Sequence, residues 1–460
     1  SKRSIFFQKQ NSVIAIGEVY INQGDTLKLY CDSLNYNGTN KKMYAHGNVK
    51  LLNNEMELNS KNLELDRVNN EAFFYDGGRI IDSLSDISSI NGKYFIDNKK
   101  YVFKNDVVVK DQDRLIESEM MDYYLDSEKT YFYKKTSIYG DGYVIKCNSG
   151  FYEPRNKQGI FVDNASIDFD SREIYGDSIF FDEDKGYSSI SNNIKIIDTN
   201  ENLILNGEFA EFFQEKDSAI ITKNPLAINI LKNDSLFIKA DTLFSVGKED
   251  VRKMRGLNNV MFVQGNLSGK SDYIQVDKKS GITTMLRKKI SERDLQILTE
   301  TEINSKNPVI WDNYTQMSGD KIIFTEDLDT NELDSIKIPN NVFIIEEDSI
   351  GDNKYNQIKG LKLFGNFIDN KLDRVKIDQN SELIYYMYDE NLNLIGVDKA
   401  VASSILIYFK EKGMDQITFI TNPEGVLYPE EFLDENETFL NGFINRESEK
   451  INKKQMLIDR

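Results

Sequence analysis

Histidine occurs once, at His46, and tryptophan once, at Trp311, in a chain of 460 residues that holds two cysteines and six prolines. One imidazole excludes any site built on two, and it leaves acid–base or nucleophilic triads without their usual base. No glycine loop of the phosphate-cradling kind and no zinc-spaced cysteine set is present. No run of eighteen apolar residues exists, which excludes a membrane-spanning helix. Sustained helical periodicity is also missing; the best short helix start is Glu430-Glu431-Phe432-Leu433 after Pro429. The net charge of −18 is spread through turns, which argues against a nucleic-acid partner and for the solubility of a long sheet. The chain opens at Ser1, as a processed precursor would, and an export signal removed from such a precursor leaves no trace.

What is abundant is a repeated pattern: apolar, any, small, often acidic, any, apolar, any, apolar. The small position runs Cys31, Ser60, Gly92, Ser118, Cys147, Gly176, Gly207, Ala240, Ser271, Gly319, Gly360, Ala402. From Ser118 to Ser271 the steps are 29, 29, 31, 33 and 31 residues, so one unit is copied with little insertion; later steps of 48, 41 and 42 imply longer loops or extra strands. Two positions earlier lies an aliphatic column that includes Leu29, Leu58, Ile90, Ile116, Ile145, Ile174, Leu205 and Ile238. Valine, isoleucine, tyrosine and phenylalanine dominate the apolar set, and scarce proline lets ladders run long.

Side chains on a strand alternate faces with period two. Positions 27, 29 and 31 share one phase, and 34 and 36 have the other. A strand that keeps one apolar face inward can change phase only through an inserted residue, so each copy reads as a strand bent at the small residue. The acidic residue beside it (Asp32, Asp177, Asp241, Asp272, Asp320) is expected to accept backbone N–H bonds at the bend. Turns such as Asn37-Gly38-Thr39-Asn40 follow, then second strands that often open on Asn or Asp, as in Asn48-Val49, Asn193-Ile194 and Asn259-Val260. The expected fold is all-β: an elongated antiparallel jelly-roll, a V-shaped β-stack of about ten or more repeats, on the order of 100 Å long. Cys31 and Cys147 hold one position of copies four steps apart, beyond disulfide reach in a regular stack.

A stack of bent strands can close into a filled sandwich, or its arms can stay apart and leave an apolar slot suited to acyl chains. Spacing leaves both open. The slot would be lined by Leu29, Leu58, Ile116, Ile145, Ile174, Leu205 and Ile238, and by the positions beyond the bend: Leu34, Tyr36, Leu63, Leu65, Met121, Tyr123, Ile179, Phe181, Phe212, Leu243, Ile274, Ile322 and Phe324. A filled structural or adhesive rod, and a carbohydrate-active solenoid using a carboxylate pair, are the alternatives. The acidic column recurs with every copy, as architecture does, whereas a catalytic site occurs once. No catalytic residue, metal or cofactor is expected, and Trp311 reads as a packing or interface residue.

The string Tyr44-Ala45-His46-Gly47-Asn48-Val49-Lys50-Leu51, followed by Met56-Glu57-Leu58-Asn59-Ser60-Lys61-Asn62-Leu63-Glu64-Leu65-Asp66, resembles the repeat of the OstA family of lipopolysaccharide export, LptA-like bridges and LptD N-terminal-like domains. Arg172-Glu173-Ile174-Tyr175-Gly176-Asp177-Ser178-Ile179-Phe180-Phe181-Asp182 and the segment Leu236 to Leu243 keep the same cadence, and Gly396 to Phe409 is similar to the larger OstA-like proteins. The resemblance implies a periplasmic protein of a Gram-negative bacterium, associated with the outer membrane, that holds lipopolysaccharide acyl chains. It also implies end-to-end stacking on other OstA-like domains and an outer-membrane β-barrel as partner. The expected organisation is a lead segment 1–13, OstA-like repeats 14–345, further repeats with longer insertions 346–428, and a tail 429–460 whose last stretch, from Arg446, is charged enough to fray. The chain exceeds the short bridge members more than twofold and lacks the barrel of the larger ones.

Overall fold

The structure is a computed structural model and describes all residues except 25–26, 54–55, 83–84, 112–113, 232–234, 248–250, 352, 411–412, 430–431, 433–434 and 459–460. The expected helix start at 430–433 therefore lies outside the described residues, apart from Phe432. The chain divides into two compact units, Ser1–Ile197 and Asp198–Arg460. Both are built of antiparallel strands, and each follows one scheme.

In the first unit, Ser12–Gln23 pairs with Leu27–Asn37 in two registers: 12–16 against 33–37, and 19–23 against 27–31. Gly17 and Glu18 face the single residue Asp32 across the break. The same two-against-one slip separates the registers of Lys42–Asn53 with Met56–Asp66, and of Gln158–Phe169 with Arg172–Asp182. It recurs in the second unit between Lys253–Gln264 and Leu267–Asp277. Each slip is a β-bulge that turns the strand and restores the apolar phase on its far side. Some copies break outright at this corner, as Tyr143–Cys147 and Ser149–Glu153 do.

The corners thus divide the strands into two ladders per unit. Ladder two carries the aliphatic column; in the first unit it includes 19–23, 27–31, 49–52 and 57–60. Ladder one carries the segments beyond the bend, 12–16, 33–37, 42–46 and 62–66 among them. The ladders face each other and bury their alternate residues between them, from Leu29, Leu58 and Ile145 on one side to Leu63, Met121 and Ile179 on the other. Burying each aliphatic side chain contributes about 1.5–3 kcal/mol before chain entropy is counted.

The bulge chemistry explains the repeated residue types. The doubled residues take left-handed backbone, as at Gly47 and Asn48, Asp163 and Asn164, Asn192 and Asn193, and Asn258 and Asn259. Asparagine, aspartate and glycine reach that conformation at least cost. Of the Asn motifs expected to open second strands, Asn48, Asn193 and Asn259 therefore sit at bends inside them, whereas Asn341-Val342 does open one, Val342–Glu347. The acidic residue has a different main role from the expected one. It accepts from the asparagine side chain of the next strand: Asn48 Nδ2 donates to Asp32 (2.9 Å), Asn193 to Asp177 (2.9 Å), Asn259 to Asp241 (3.0 Å) and Asn341 to Asp320 (2.9 Å). Asp272 does accept a backbone bond, from Lys288 N–H (2.7 Å). The small residue is needed because a Cβ at Gly176 would run into Ile190 Cγ2, and one at Gly319 into Ile338 Cγ2.

Three further features depart from the reading of the repeats. Ile90 is not a column residue: it is exposed at the corner between Asp86–Ser89 and Asn91–Phe95, and Ile87, 1% exposed, holds the column position. The register there is set by Ser89, which pairs with Gly78 in the way other small corner residues pair. The 48-residue step contains two short helices, Glu292–Ile297 and Glu300–Asn304, the second opened by a Thr299/Glu302 capping box. From Arg446 to Ile458 the tail is folded rather than frayed. It forms a turn at Glu447–Glu449 and the helix Lys453–Ile458, and buries Met456 against Leu226, Phe237 and Val263.

Cys31 and Cys147 are free and buried at equivalent corners. Burial pushes the Cys147 thiol up to about 12, which keeps it protonated and unreactive. His46 caps a corner, its Nδ1 lying 2.8 Å from Asn62 Oδ1.

Candidate functional site

Between the ladders the expected lining residues come together. Leu29, Leu58, Ile116, Ile145, Ile174, Leu205 and Ile238 are buried on ladder two, and Leu34, Leu63, Met121, Tyr123, Ile179, Leu243, Ile274, Ile322 and Phe324 are buried on ladder one. Tyr36, Leu65, Phe181 and Phe212 are half-buried, and all four lie toward the ends of ladder-one arms, away from the bends. Tyr123 and Phe324, at the same step beyond their bends, are covered, so the side opposite the bends, the mouth between the ladders, is closed along part of its length. Within each unit the interior is closely packed. A cavity of about 20 Å³ lies among Leu58, Leu63, Phe74 and Tyr101 in the first unit, and another of about 20 Å³ among Phe262, Ile274, Phe324 and Glu326 in the second.

The two ladders are joined differently on their two sides. At the bends, the backbone itself passes from one to the other. At the mouth, side chains hold them together. In the first unit, Tyr101 O–H on ladder one donates to Met56 Sδ on ladder two (2.6 Å). Arg114, in a ladder-two turn, pairs with Glu183 and stacks 4.5 Å over the Tyr152 ring, both on ladder one. Tyr143 and Phe181 meet at 5.7 Å beside it. In the second unit, Arg252 at the start of a ladder-one strand donates to Asp198 Oδ2 (3.1 Å), and Lys278 pairs with Glu201; Asp198 and Glu201 precede the ladder-two segment of Leu203–Phe213. Glu346 on ladder two accepts from Met414 N–H of ladder one (2.9 Å) and from Thr315 (3.0 Å).

Beside that last clasp the mouth gapes. A cavity of about 750 Å³ separates ladder-two residues Asn266, Asp312, Asn313 and Thr315 from ladder-one residues Ile368, Leu372, Phe409, Lys410 and Asp415. Its charges largely cancel: Lys410 pairs with Asp415 at 2.9 Å. Burial pushes the Asp312 and Glu346 carboxyls above their ordinary range.

None of the clasp residues carries a signal in sequence, because the residues that join the two ladders are tens of positions apart. Arg114 and Glu183 are separated by 69 positions. Buried acidic residues in turns, such as Asp198 and Glu201, would have been the only hint. Trp311 is fully buried on the outward face of ladder two, where the tail covers it.

Glu326 gives a measurable consequence of this packing. Burial alone raises its carboxyl to about 6 from 4.5. The folded chain therefore keeps a proton that the unfolded chain has released, and stability falls as pH rises from about 4.5 to 6. Glu326→Gln is expected to remove that slope and to raise stability above pH 6 by roughly 1 kcal/mol, allowing for partial exposure. Urea unfolding at two pH values on either side of the window checks it.

These features define a class: a stack of bent antiparallel strands with an apolar interior shared by two facing ladders. Residues 1–119 match the family described as OstA-like protein, and over this segment the chain is similar to it. Among solved structures it is similar to LptH of Pseudomonas aeruginosa, the LptA-homologous periplasmic component of a lipopolysaccharide transport device. Identity is 13% over 21% of this chain and 74% of that one, with a TM-score of 0.20. No curated protein matches the sequence. Among the described residues no cluster could hold a metal ion, and no helix is long and apolar enough to cross a membrane.

Proposed function

We propose that this protein is a periplasmic, non-enzymatic conduit that carries lipopolysaccharide acyl chains between its two ladders toward the outer membrane. The carrying observation is the asymmetry of the two sides: backbone at the bends, side-chain clasps at the mouth. Opening the mouth breaks these side-chain clasps and the apolar contacts behind them and leaves the backbone ladders intact. An acyl chain would then replace apolar contacts with apolar contacts, and needs no specific hydrogen bonds. The OstA-like match of residues 1–119 supports the reading. Repeats 14–345 and 346–428 would form the conduit, with the lead segment 1–13 and other OstA-like domains meeting its ends, and an outer-membrane barrel receiving the lipid.

A filled structural rod is the second reading, favoured by one observation: the interior cavities of about 20 Å³ have room for about one water each, far less than an acyl chain occupies. The two readings separate in native mass spectrometry of protein released from a Gram-negative periplasm without detergent. The conduit carries stoichiometric lipid that exchanges into added lipopolysaccharide micelles. The rod emerges with no lipid mass and acquires none.

A further inference from the structure

Three positions before each small corner residue, the chain points outward from ladder two. In the second unit this column reads Ile204, Phe237, Ser268, Gln316, Gln357 and Lys399; the four from Phe237 to Gln357 are buried, and Ile204 and Lys399 at its ends are half-buried. The cover is the tail, which crosses the column in reverse order of the repeats. Lys399 Nζ donates to Glu437 O (3.0 Å) at one end, and Lys453 and Met456 sit on Phe237 at the other. Between them the two glutamines act alike. Gln357 Nε2 donates to Thr438 O (2.8 Å) while its Oε1 accepts Leu440 N–H (2.9 Å). Gln316 Nε2 donates to Ile444 O (2.9 Å) while its Oε1 accepts Arg446 N–H (2.8 Å).

Each amide thus takes the carbonyl of one tail residue and the N–H of the second residue after it. That pair of bonds holds main chain without regard to side chain, at the end of the Glu435–Thr438 turn in one case and just before the Glu447–Glu449 turn in the other. Three anchors add selectivity. Phe443 lies against the rings of Tyr355 (5.4 Å) and Phe343 (6.4 Å). Arg446, 8% exposed, donates to Asn307 O (2.7 Å) and pairs with Glu449, which also takes Lys270 (2.7 Å). Met456 fills the apolar patch at the end. In the first unit the same column reads Lys28, Glu57, Leu115, Val144 and Glu173, all exposed or half-buried.

We infer that the outward face of ladder two in the second unit is a peptide-binding track, with residues 437–456 as its tethered occupant, and that the same segment from a second copy of the chain can take the tail's place. The tether keeps the resident tail at high local concentration, so exchange needs a concentrated competitor. The track is separate from the mouth and does not depend on the lipid reading.

The test places a specific protease site between Tyr428 and Glu437 of the full chain and cuts it. The cut tail is expected to stay bound through gel filtration, yet to be replaced by a fluorescent synthetic 437–460 peptide, read by anisotropy and native mass spectrometry. An Arg446→Ala peptide is expected to bind at least about tenfold more weakly. Gln316→Leu with Gln357→Leu in the cut protein is expected to release the tail. The inference is overturned if the cut chain unfolds, if the tail leaves and the peptide does not bind, if the tail never exchanges, or if the Arg446→Ala peptide binds equally well. The peptide variant keeps the test decisive even where the double variant does not fold.

Discussion

Ile238→Asp is expected to unfold the second unit at neutral pH. Ile238 is 1% exposed and pairs with Ala227 and Phe262 in ladder two, with no polar group in that register to receive a carboxylate. An unpaired buried ion costs several kcal/mol even after relaxation, a large part of the 5–15 kcal/mol that ordinarily holds a domain. In a stack, each rung contacts mainly its neighbours, so damage begins locally. Limited proteolysis should therefore cut the second unit first while the first unit stays resistant. Tyr175→Asp, on an exposed outward position, should change stability by no more than about 0.5 kcal/mol. Equal damage from the two substitutions would contradict the assignment of inward and outward faces.

Replacing Asn258 and Asn259 together by valine is the second large effect. Their φ angles are 58° and 48°, a region that costs a β-branched residue about 1–2 kcal/mol each. The change also removes the Asn259 bonds to Asp241. A loss of about 3–5 kcal/mol is expected, seen as a lower urea midpoint with an unchanged slope. Asn259→Gly keeps the backbone and loses only the side-chain bonds, so it should cost about 1 kcal/mol. Similar losses from the glycine and the valine variants would mean that the bend does not depend on left-handed backbone.

Much of this architecture was legible in the residues, and the reason is repetition. A phase slip copied a dozen times, with a small residue at each slip, identifies the bends, the antiparallel ladders and the inward faces of Leu29, Ile145 and Ile238. One copy alone would mislead, as Ile90 does: the spacing to Gly92 fits, yet Ser89 is the corner residue and Ile87 the buried one. The asparagines were visible but assigned to strand starts, because a left-handed pair inside a strand looks like a turn in sequence. The mouth was not legible. Its clasps pair residues such as Arg114 and Glu183 that only the stacking of rungs brings together. The tail misled by composition, since its charges are spent on Asn307, Lys270 and Glu449 rather than on solvent. Gln316 and Gln357 do stand 41 residues apart, one repeat step, and a search of outward positions for that recurrence would have found the track.

The most direct measurement places a photo-crosslinking residue at Leu58, Ile174 or Ile238, and for comparison at the outward positions Glu57, Tyr175 and Lys239, in cells that make lipopolysaccharide. A lipid conduit gives lipopolysaccharide adducts at the three inward positions and none at the outward ones. Adducts confined to the outward positions, or none anywhere from folded protein, would contradict it and leave a filled rod.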